Sequence, residues 1–343
     1  MVKFIKYPDI ENSYRQEFID KIKEMGYGNI DYVITEKIHG ANSQITYDVN
    51  TGEFFYGKRS GFLEEGEQFY NLRTILEGYE RDIADMAQHL KLYSGTIGQR
   101  VESVTFYGEV CGGSYPHADV VKDKNASKVQ KGVFYSPKNV WLAFDIAYTI
   151  ADVERPFFLS YSKFNLYCNL YNIPYVPEIA RTASLDEALT IANDQESSVY
   201  KFYGLPKLDN NIMEGVVIRP LYLDTWFGMS RLVLKNKNEH FKEKAAAKED
   251  IPKEIPEQVK AACEELSQYI NVNRAHNVIS HIGEITPKDI GRIIKEMSQD
   301  VLADYRKEHN TLDKLEKQDE KMVTKFLGSE VAKVVRDVVI FGK

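Results

Sequence analysis

Thr35-Glu36-Lys37-Ile38-His39-Gly40-Ala41-Asn42 is the stretch that decides how this sequence is interpreted. The apolar run Tyr32-Val33-Ile34 precedes it and predicts that Lys37 stands at the end of a strand or in the turn after it. A lysine amine is a nucleophile only when it has lost its proton, and burial or neighbouring cations favour that state. A lysine three residues before a glycine is a weak pattern, because a solvated lysine beside a turn glycine also accounts for it.

A second pair of cations lies far along the chain, in Leu234-Lys235-Asn236-Lys237. The two lysines are two positions apart, so in a strand they share one face. Adjacent lysines on a strand often do no more than face water. If the fold brings them to Lys37, they would instead supply the neighbouring charge that an amine nucleophile needs.

Composition describes an ordinary globular protein. The chain has 343 residues, 43% of them hydrophobic and 28% charged, which suggests two domains and excludes collagen-like or wholly disordered classes. The net charge is 44 − 51 = −7, so any nucleic acid must meet a local basic groove on an acidic body. Three widely spaced cysteines, an N-terminus without a signal-peptide pattern and the lack of a long apolar run lead us to expect a reducing, cytoplasmic setting.

The character of the sequence changes near residue 243. The first 243 residues contain 37 of the 41 aromatic residues and 17 of the 21 glycines. A polar, helix-prone stretch follows, and then Pro252 and Pro256. We therefore predict a first domain over residues 1–243, a linker over 244–250 and a helical domain over 251–343.

The first part is predicted to be mostly β-structure. Residues 45–47 and 54–56 flank Asn50-Thr51-Gly52, which is a hairpin signal. Further β-branched and aromatic runs predict strands, and polar stretches with apolar periodicity predict helices. The strands are expected at 101–110, 140–148, 213–218 and 231–234, and the helices at 13–25, 70–93 and 184–193. Because strands and helices do not alternate strictly, we predict an α+β domain with antiparallel sheets.

The second part is predicted to be all helical. Val259, Cys263, Leu266 and Ile270 share one helix face. Thr286 is expected to cap the next helix, with Pro287 at its first position, and Ser329 is expected to cap a last helix.

The central motif has a specific resemblance. Glu36-Lys-Ile-His-Gly-Ala-Asn42 resembles the nucleotidyl-lysine motif of covalent nucleotidyltransferases, in the form used by the RNA ligase 2 family, which includes phage-type enzymes. DNA ligases and capping enzymes usually carry Asp where this chain has His39. Five further motifs follow in the family's order: Lys58-Arg59-Ser60-Gly61, Phe106-Tyr-Gly-Glu109, Leu142-Ala-Phe144-Asp145-Ile146, Glu214-Gly-Val-Val-Ile218 and Val233-Leu-Lys235-Asn-Lys237.

The resemblance implies a fold and a reaction. The fold is an antiparallel-sheet nucleotidyltransferase domain, ATP-grasp-like, with a small helical domain after it. The reaction is ATP-dependent joining of 3′-hydroxyl and 5′-phosphate RNA ends, most simply at nicks in duplex RNA. It passes through lysyl-AMP and an adenylylated 5′ end, with Mg²⁺ or Mn²⁺ as the metal. The helical domain would engage duplex RNA, and a monomer is the default expectation.

The resemblance also implies roles for named residues. Lys37 would be the nucleophile; Lys235 and Lys237 would hold the α-phosphate, and His39 would contact phosphate or position the reacting groups. Glu214 would help to hold a metal through water. The remaining candidates for binding ATP or the RNA ends are Glu36, Ile38, Asn42, Arg59, Glu109, Phe144 (stacked on adenine), Asp145 and Arg219.

Arg219 departs from the pattern, because a lysine is expected after the acidic motif. Arginine keeps the charge but not the compact geometry of an ammonium. In a regular strand Glu214 and Arg219 would also face opposite sides. Arg219 would therefore approach the triphosphate from another angle or take no part.

Three functions remain open from the residues. The first is the RNA ligase. The second is a DNA ligase or a capping guanylyltransferase, which His39 argues against. The third is a non-catalytic RNA-binding protein on a ligase fold, which the full set of motif residues argues against. The lysine-rich stretch with Lys122, Lys124, Lys128 and Lys131 is either a nucleic-acid contact or a solvated loop.

Overall fold

The computed structural model describes residues 2–228, 230–241, 256–286 and 289–341. The chain divides into two compact units, Met1–Asn238 and Glu239–Lys343. The first unit contains the described strands, and the second is helical where it is described. The predicted boundary at residue 243 and the predicted linker 244–250 lie outside the described residues and stay predictions.

Strands of the first unit form two main sheets. The strands are β1 (Glu11–Asn12), β2 (Tyr32–Lys37), β3 (Ala41–Asp48), β4 (Phe54–Lys58), β5 (Gly61–Phe62), β6 (Val101–Gly112), β7 (Asn139–Ile150), β8 (Phe157–Phe158), β9 (Glu178–Thr182), β10 (Gly215–Pro220), β11 (Trp226–Phe227), β12 (Ser230–Arg231) and β13 (Leu234–Lys237). A five-stranded sheet has the order β1-β13-β10-β2-β9, and a six-stranded sheet has the order β5-β4-β3-β6-β7-β8. Only β1 and β13 pair in parallel among the described strands, so the predicted antiparallel α+β class is confirmed.

Helices cover both sheets. They are α1 (Gln16–Glu24), α2 (Leu72–Glu77), α3 (Glu80–Gly95), α4 (Tyr161–Leu170) and α5 (Leu185–Leu189), with a short 3₁₀ helix at Val199–Tyr203. The larger apolar core lies under α2 and α3 against the six-stranded sheet, and a smaller one lies between α1, α5 and the five-stranded sheet. Burial of these apolar faces stabilises helices that would be marginal alone.

Some local predictions need correction. The helix expected at 70–93 is two helices, because Gly78 and Tyr79 interrupt it. Helix α4 was not predicted, since its aromatic and Asn-rich sequence consists largely of weak helix formers. The last strand lies at Leu234–Lys237 rather than at 231–234. The hairpin at Asn50 is confirmed: the Asp48 carboxylate accepts hydrogen bonds from the backbone N–H groups of Asn50 and Thr51 at 2.8 and 3.1 Å.

The two sheets are joined at the central motif. Lys37 ends β2 in the five-stranded sheet, and Ala41 begins β3 in the six-stranded sheet. At Gly40, between them, β6 approaches so closely that a Cβ atom would lie 2.2 Å from the Val110 carbonyl oxygen. Glycine is therefore required for the chain to cross between the sheets at this point.

The second unit packs its helices around one apolar core. They are α6 (Glu257–Ser267), α7 (Val272–Ile282), α8 (Ile290–Glu308) and α9 (Lys317–Phe341), with short 3₁₀ helices at Glu239–Phe241 and Leu312–Lys314. Within the described ranges, none of the helices has both the length and the apolar character needed to cross a membrane.

One predicted helix cap, at Ser329, is wrong, and the predicted start at Pro287 after Thr286 falls partly outside the described residues. Helix α8 begins after Asp289, and Thr286 donates hydrogen bonds from its N–H and hydroxyl to the Asp289 carboxylate, both at 2.8 Å. Pro287 lies outside the described residues. Ser329 lies inside α9, because the buried series Val323, Leu327, Val331 and Val335 continues past it at four-residue spacing.

Gly215→Ala tests the packing of the strands that carry the central motif. A Cβ atom at this position would lie 2.1 Å from the Asn236 carbonyl oxygen and 2.8 Å from the Lys237 Cα, so β13 would have to move away. Overpacking of this kind costs about 1–3 kcal/mol, which should lower the melting temperature by about 2–10 °C. Gly61→Ala is the control, since open space surrounds a Cβ atom there. Equal melting temperatures for both variants would contradict the argument.

Candidate active site

One buried carboxylate binds two lysines from distant parts of the chain. The Lys37 ammonium donates to Glu214 Oε2 at 2.7 Å, and Lys237 Nζ lies 3.1 Å from Glu214 Oε1. The Glu214 side chain is only 4% exposed. The arrangement brings together three residues that the sequence placed in three separate motifs.

Strand register places this group. Gly215 of β10 pairs with Lys37 of β2 on one side and with Lys237 of β13 on the other. Directly opposed residues point to the same face of a sheet, so Lys37 and Lys237 lie on one face, on either side of Gly215. Glu214 immediately precedes Gly215, and its carboxylate lies between the two lysines. Lys235 is two residues before Lys237 and shares its face. All three lysines therefore lie on one face of the five-stranded sheet.

Electrostatics keep Glu214 ionised. Burial alone would raise its pKa, but Lys37, Lys237 and His39 hold the pKa well below its ordinary range. His39 Nδ1 lies 3.5 Å from Glu214 Oε2, and the His39 backbone N–H donates to the Tyr135 hydroxyl at 2.8 Å. The site is thus a cluster of cationic groups around one negative charge, with its histidine fixed at the backbone.

Glu109 and Asn42 lie beside each other across β3 and β6. Burial raises the pKa of Glu109 to about 8; Lys37 opposes the rise and Glu214 adds to it. Glu109 is therefore largely protonated at pH 7 before any ligand arrives. Glu109 is close enough to Lys37 for the two charges to interact, and its hydrogen bond to ribose stays a prediction.

Arg59 follows β4 and makes an ion pair with Asp9. The guanidinium is close enough to Glu109 to influence its pKa. Asp9 is largely exposed, so this pair can open at little cost. A phosphate that uses Arg59 would have to replace Asp9.

Glu36 and Ile38 flank Lys37 but point away from the cluster. Successive residues of a strand face opposite sides, and Glu36 is almost fully buried. It accepts a hydrogen bond from the Ser198 backbone N–H at 3.2 Å. Burial raises the pKa of Glu36 to about 7, with hydrogen bonds from Ser197 and Ser198 opposing the rise. Ile38 is buried in the same way, so its side chain offers no polar contact.

Asp145 belongs to a second buried cluster of charges. Tyr7 and Arg231 donate to its Oδ2 at 2.9 and 2.7 Å, and Arg219 donates to its Oδ1 at 3.2 Å. Burial would raise the pKa of Asp145, but Arg219 and Arg231 lower it below its usual value. Arg231 also donates to Asp224 Oδ1 through Nε and Nη2, at 2.8 and 2.5 Å.

Phe144 borders the same cluster. The register of β7 against β6 shifts here, since Asp145 pairs with Tyr107 and Ala143 with Gly108, so Phe144 is the extra residue of a bulge. Its ring is half-buried and meets the edge of the Tyr7 ring at 4.9 Å between centroids. A bulge re-aims a side chain, and the stacking of Phe144 on adenine stays a prediction.

The Arg219 guanidinium donates its hydrogen bonds to acceptors within the protein. Beside Asp145 it donates to the Phe144 and Leu159 carbonyl oxygens at 3.3 and 3.1 Å. It is buried, and it lies on β10 opposite Val33, four residues along β2 from Lys37. The structure therefore does not place Arg219 with the lysines, and its contact with ATP stays a prediction.

Several contacts were not predicted from the sequence. Tyr7, Arg231 and Asp224 complete the Asp145 cluster, Asp9 pairs with Arg59, and Tyr135 holds the backbone of His39. Tyr7 and Asp145 are 138 positions apart. Each residue is of a common type in a stretch without a motif, so a single sequence carries no signal for these contacts.

Comparison with known proteins gives the family. The family model described as RNA ligase matches residues 30–248, and that described as T4 RNA ligase 2 C-terminal matches residues 252–333. The chain belongs to the RNA ligase family. RNA-editing ligase 1, mitochondrial, of Trypanosoma brucei brucei is 30% identical over 226 residues, which are 59% of this chain and 47% of that protein. RNA-editing ligase 2, mitochondrial, of the same organism is 30% identical over 158 residues, 42% of this chain and 37% of that protein.

The chain thus spans about half the length, or less, of the curated relatives it matches. Among solved structures, an RNA ligase of Naegleria gruberi aligns with a TM-score of 0.45 and 14% identity, over 70% of this chain and 58% of that one. A mutant of Naegleria gruberi RNA ligase with ATP and Mn aligns with a TM-score of 0.44 and 15% identity, over the same shares.

The acidic groups of this RNA ligase family member suit a metal that is held mainly by water and phosphate. In the described part of the chain, no group of three His, Cys, Asp or Glu side chains is placed to hold a metal ion by itself. Glu214 and Glu109 are close enough to influence each other's charge. One or two carboxylates beside a phosphate site are what Mg²⁺ commonly uses. The residues therefore fit a hydrated Mg²⁺ or Mn²⁺ that arrives with a triphosphate.

The lysine-rich loop lies against the central motif. Gln130 donates to the Gly40 carbonyl oxygen at 3.4 Å, and Lys128 Nζ lies 4.6 Å from the centroid of the Phe134 ring. The Asn71 side chain donates to the Asn125 carbonyl oxygen at 2.9 Å, which ties the loop to the start of α2. Its lysines are exposed, so contact with nucleic acid stays a prediction that the placement favours.

Glu36→Gln should change the pH dependence of stability. The folded-state pKa of about 7 exceeds the ordinary value of 4.5, so Glu36 stabilises the fold fully below about pH 4.5 and less as pH rises through 7. Gln has nearly the same shape but does not ionise. Between about pH 4.5 and 8, the free energy of unfolding of the wild type should therefore fall relative to that of Glu36→Gln, by up to about 3 kcal/mol.

Urea unfolding followed by tryptophan fluorescence measures this difference, because Trp141 and Trp226 both lie in the first unit. Glu17→Gln, on the exposed side of α1, is the control and should track the wild type. A constant difference between Glu36→Gln and the wild type over this range would show that Glu36 does not titrate there.

Proposed function

We propose that the chain is an ATP-dependent RNA ligase that joins a 3′-hydroxyl end to a 5′-phosphate end, with nicks in duplex RNA as its substrate. The observation that carries the proposal is the binding of Lys37 and Lys237 to the one buried carboxylate of Glu214. Membership of the RNA ligase family supports RNA as the polymer. The lysine cluster supports covalent transfer of a nucleotide, since phosphoryl transfer needs fixed positive charge around the reacting phosphorus.

The reaction would proceed in three displacements. Lys37 loses a proton to solvent, and its neutral amine attacks the α-phosphorus of ATP. The P–N bond forms as the bond to pyrophosphate breaks, and the nitrogen loses a second proton to solvent, which leaves AMP on Nζ as a phosphoramidate. An oxygen of the RNA 5′-phosphate then attacks the same phosphorus and displaces Lys37, which gives an adenylylated 5′ end. The 3′-hydroxyl finally attacks the 5′-phosphate phosphorus, forms the phosphodiester and releases AMP. Covalent catalysis thus divides one difficult condensation into three easier steps.

The residues of the cluster would act in sequence. Glu214 fixes the Lys37 side chain before ATP arrives. When Lys37 gives up its proton, Lys237 remains near Oε1 as the counter-charge of the carboxylate. Lys235, Lys237 and His39 then face the charge that develops on the phosphate oxygens. Mg²⁺ or Mn²⁺, when bound near Glu214 and Glu109, would neutralise further phosphate charge.

The flanking residues would orient the ligands. Phe144 would stack on adenine, supported from its other side by Tyr7. Asp145 would orient ligands indirectly, because its two oxygens bind Arg219, Arg231 and Tyr7 and so fix the base of the bulge. Asn42 and Glu109 would contact ribose or the 3′ end, and Arg59 a phosphate. The second unit would engage duplex RNA. A monomer acting in the cytoplasm remains the prediction from the sequence.

Lys37→Ala should abolish covalent labelling by α-labelled ATP on a denaturing gel, because the variant lacks the amine that would attack the α-phosphorus. Lys21→Ala, on the exposed face of α1, is the control and should label normally. Lys237→Ala should slow labelling by about 10²–10³-fold, the usual loss when one group that stabilises the transition state is removed. Retained label on Lys37→Ala would refute the assignment, and labelling by GTP instead of ATP would favour a guanylyltransferase.

Asp9→Asn tests whether Arg59 binds RNA. The substitution removes the carboxylate that pairs with Arg59, so an incoming phosphate no longer has to displace it. Because an exposed ion pair contributes about 0–1 kcal/mol, KM for nicked RNA at saturating ATP should fall by up to about 5-fold. In an Arg59→Ala background the same substitution should have no effect. An equal fall in both backgrounds would mean that Asp9 acts independently of Arg59.

A further inference from the structure

A cavity of about 480 Å³ lies in the first unit, away from the lysine cluster. It is lined by β8, the start of α4, the segment after β10 and β11. Strand β10 begins at Gly215, beside Lys37, and ends at Pro220. The five residue steps from Gly215 to Pro220 span about 17 Å. In the segment after β10, the first residue that lines the cavity is Tyr222, which lies beyond Pro220. The cavity is therefore separate from the lysine cluster, although Leu159 and Asp224 of its lining also contact Arg219 and Arg231 of the Asp145 cluster.

Aromatic rings form much of its wall. Tyr148 and Phe157 stack with ring centroids 5.6 Å apart and planes 21° from parallel. Phe157 is 39% exposed and Tyr222 is 65% exposed, while Trp226 is half-buried. Several large aromatic side chains left accessible around one concavity are uncommon and indicate a binding surface.

Positive charge lies beside the rings. The Arg155 guanidinium lies 3.7 Å from the centroid of the Trp226 ring and donates to the Gly228 carbonyl oxygen at 3.2 Å. Lys163 adds an exposed ammonium on α4. Asp224 is the only acid among the described lining residues, and Arg231 binds its carboxylate at 2.5 Å. The lining is therefore basic, although the whole chain carries a net charge of −7.

We propose that this cavity binds an unpaired nucleotide of an RNA strand. The base would lie against the rings of Phe157, Tyr222 and Trp226, and its phosphate would bind Arg155 and Lys163. The volume falls in the range of sites for small ligands, and rings beside cations are the usual means of holding single-stranded nucleic acid. That the nucleotide belongs to RNA rests on the proposed function. A free mononucleotide has the same chemistry, and the experiment separates the two sources.

Tryptophan fluorescence of the full-length protein reports on the cavity directly. The chain has two tryptophans, and Trp141 is 1% exposed inside the core, so the solvent-accessible signal comes from Trp226. We expect an eight-residue oligoadenylate without a 5′-phosphate, added without ATP or metal, to quench this signal. Trp226→Phe should remove the quenching. Equal quenching by AMP at the same nucleotide concentration would identify a mononucleotide site instead, and no quenching by the oligonucleotide would overturn the proposal.

Two sets of variants test the contributions of rings and charges. Tyr222→Ala should weaken oligonucleotide binding about 5- to 150-fold, the loss expected for one base stack. Arg155→Ala with Lys163→Ala should lower the slope of log affinity against log salt by about 0.7, the contribution of the one phosphate contact that the two cations make on a single strand. Tyr14→Ala, an exposed tyrosine outside the lining, is the control. Unchanged affinity in the Tyr222→Ala variant, or an unchanged slope in the double variant, would overturn the proposal.

Lysyl-AMP formation by the same variants distinguishes this proposal from the proposed function. The cavity variants should label normally with α-labelled ATP while they lose oligonucleotide binding, which also shows that they are folded. If the wild type bound the oligonucleotide but formed no lysyl-AMP, the cavity would stand and the ligase function would fail. If the cavity variants lost labelling and binding together, the cavity would not be an independent site and the proposal would be overturned.

Discussion

The candidate site depends on one interaction, in which Lys37 and Lys237 both bind the carboxylate of Glu214. A buried carboxylate is costly unless cations and hydrogen bonds compensate it. Here the compensation comes from Lys37 and Lys237, on the two strands that flank β10. The contact therefore requires the register of three strands and the absence of a side chain at Gly215, where a Cβ atom would meet β13. A change that disturbs the packing of these strands would consequently also separate the charged groups of the site.

Four buried or half-buried carboxylates show how neighbouring cations change the pKa of a buried acid. Glu214 and Asp145 each contact two cationic side chains, and the pKa of each lies below its ordinary value despite burial. Glu36 and Glu109 lack contacts of this kind, and burial raises their pKa values to about 7 and 8. The first pair are permanent negative charges that organise lysines and arginines. The second pair can change protonation near neutral pH, and a metal or phosphate that arrives beside Glu109 can alter the charge of that residue.

Local signals in the sequence were sufficient for the hairpin and the longer strands, whereas the residues of the lysine cluster were proposed from the family resemblance. The hairpin at Asn50 and the long strands β6 and β7 have strong turn or β-branched patterns. Caps were less predictable: Ser329 has the right residue type, but the apolar series on both sides carries α9 through it. Contacts between distant segments could not be predicted from the sequence. Nothing near Tyr7 indicates that its hydroxyl binds Asp145, because the contact exists only once both sheets have formed.

Arg219 shows how one departure from the family pattern changes the division of roles. Its guanidinium donates to Asp145 and to the carbonyl oxygens of Phe144 and Leu159. A lysine ammonium is a compact charge on a flexible stem and cannot present the planar fork that reaches these acceptors together. Arginine at this position therefore fixes the bulge that carries Phe144. Under the proposed function, the positive charge near the reacting phosphate would then come from Lys235 and Lys237, which lie on β13 opposite Val217 and Gly215 of β10.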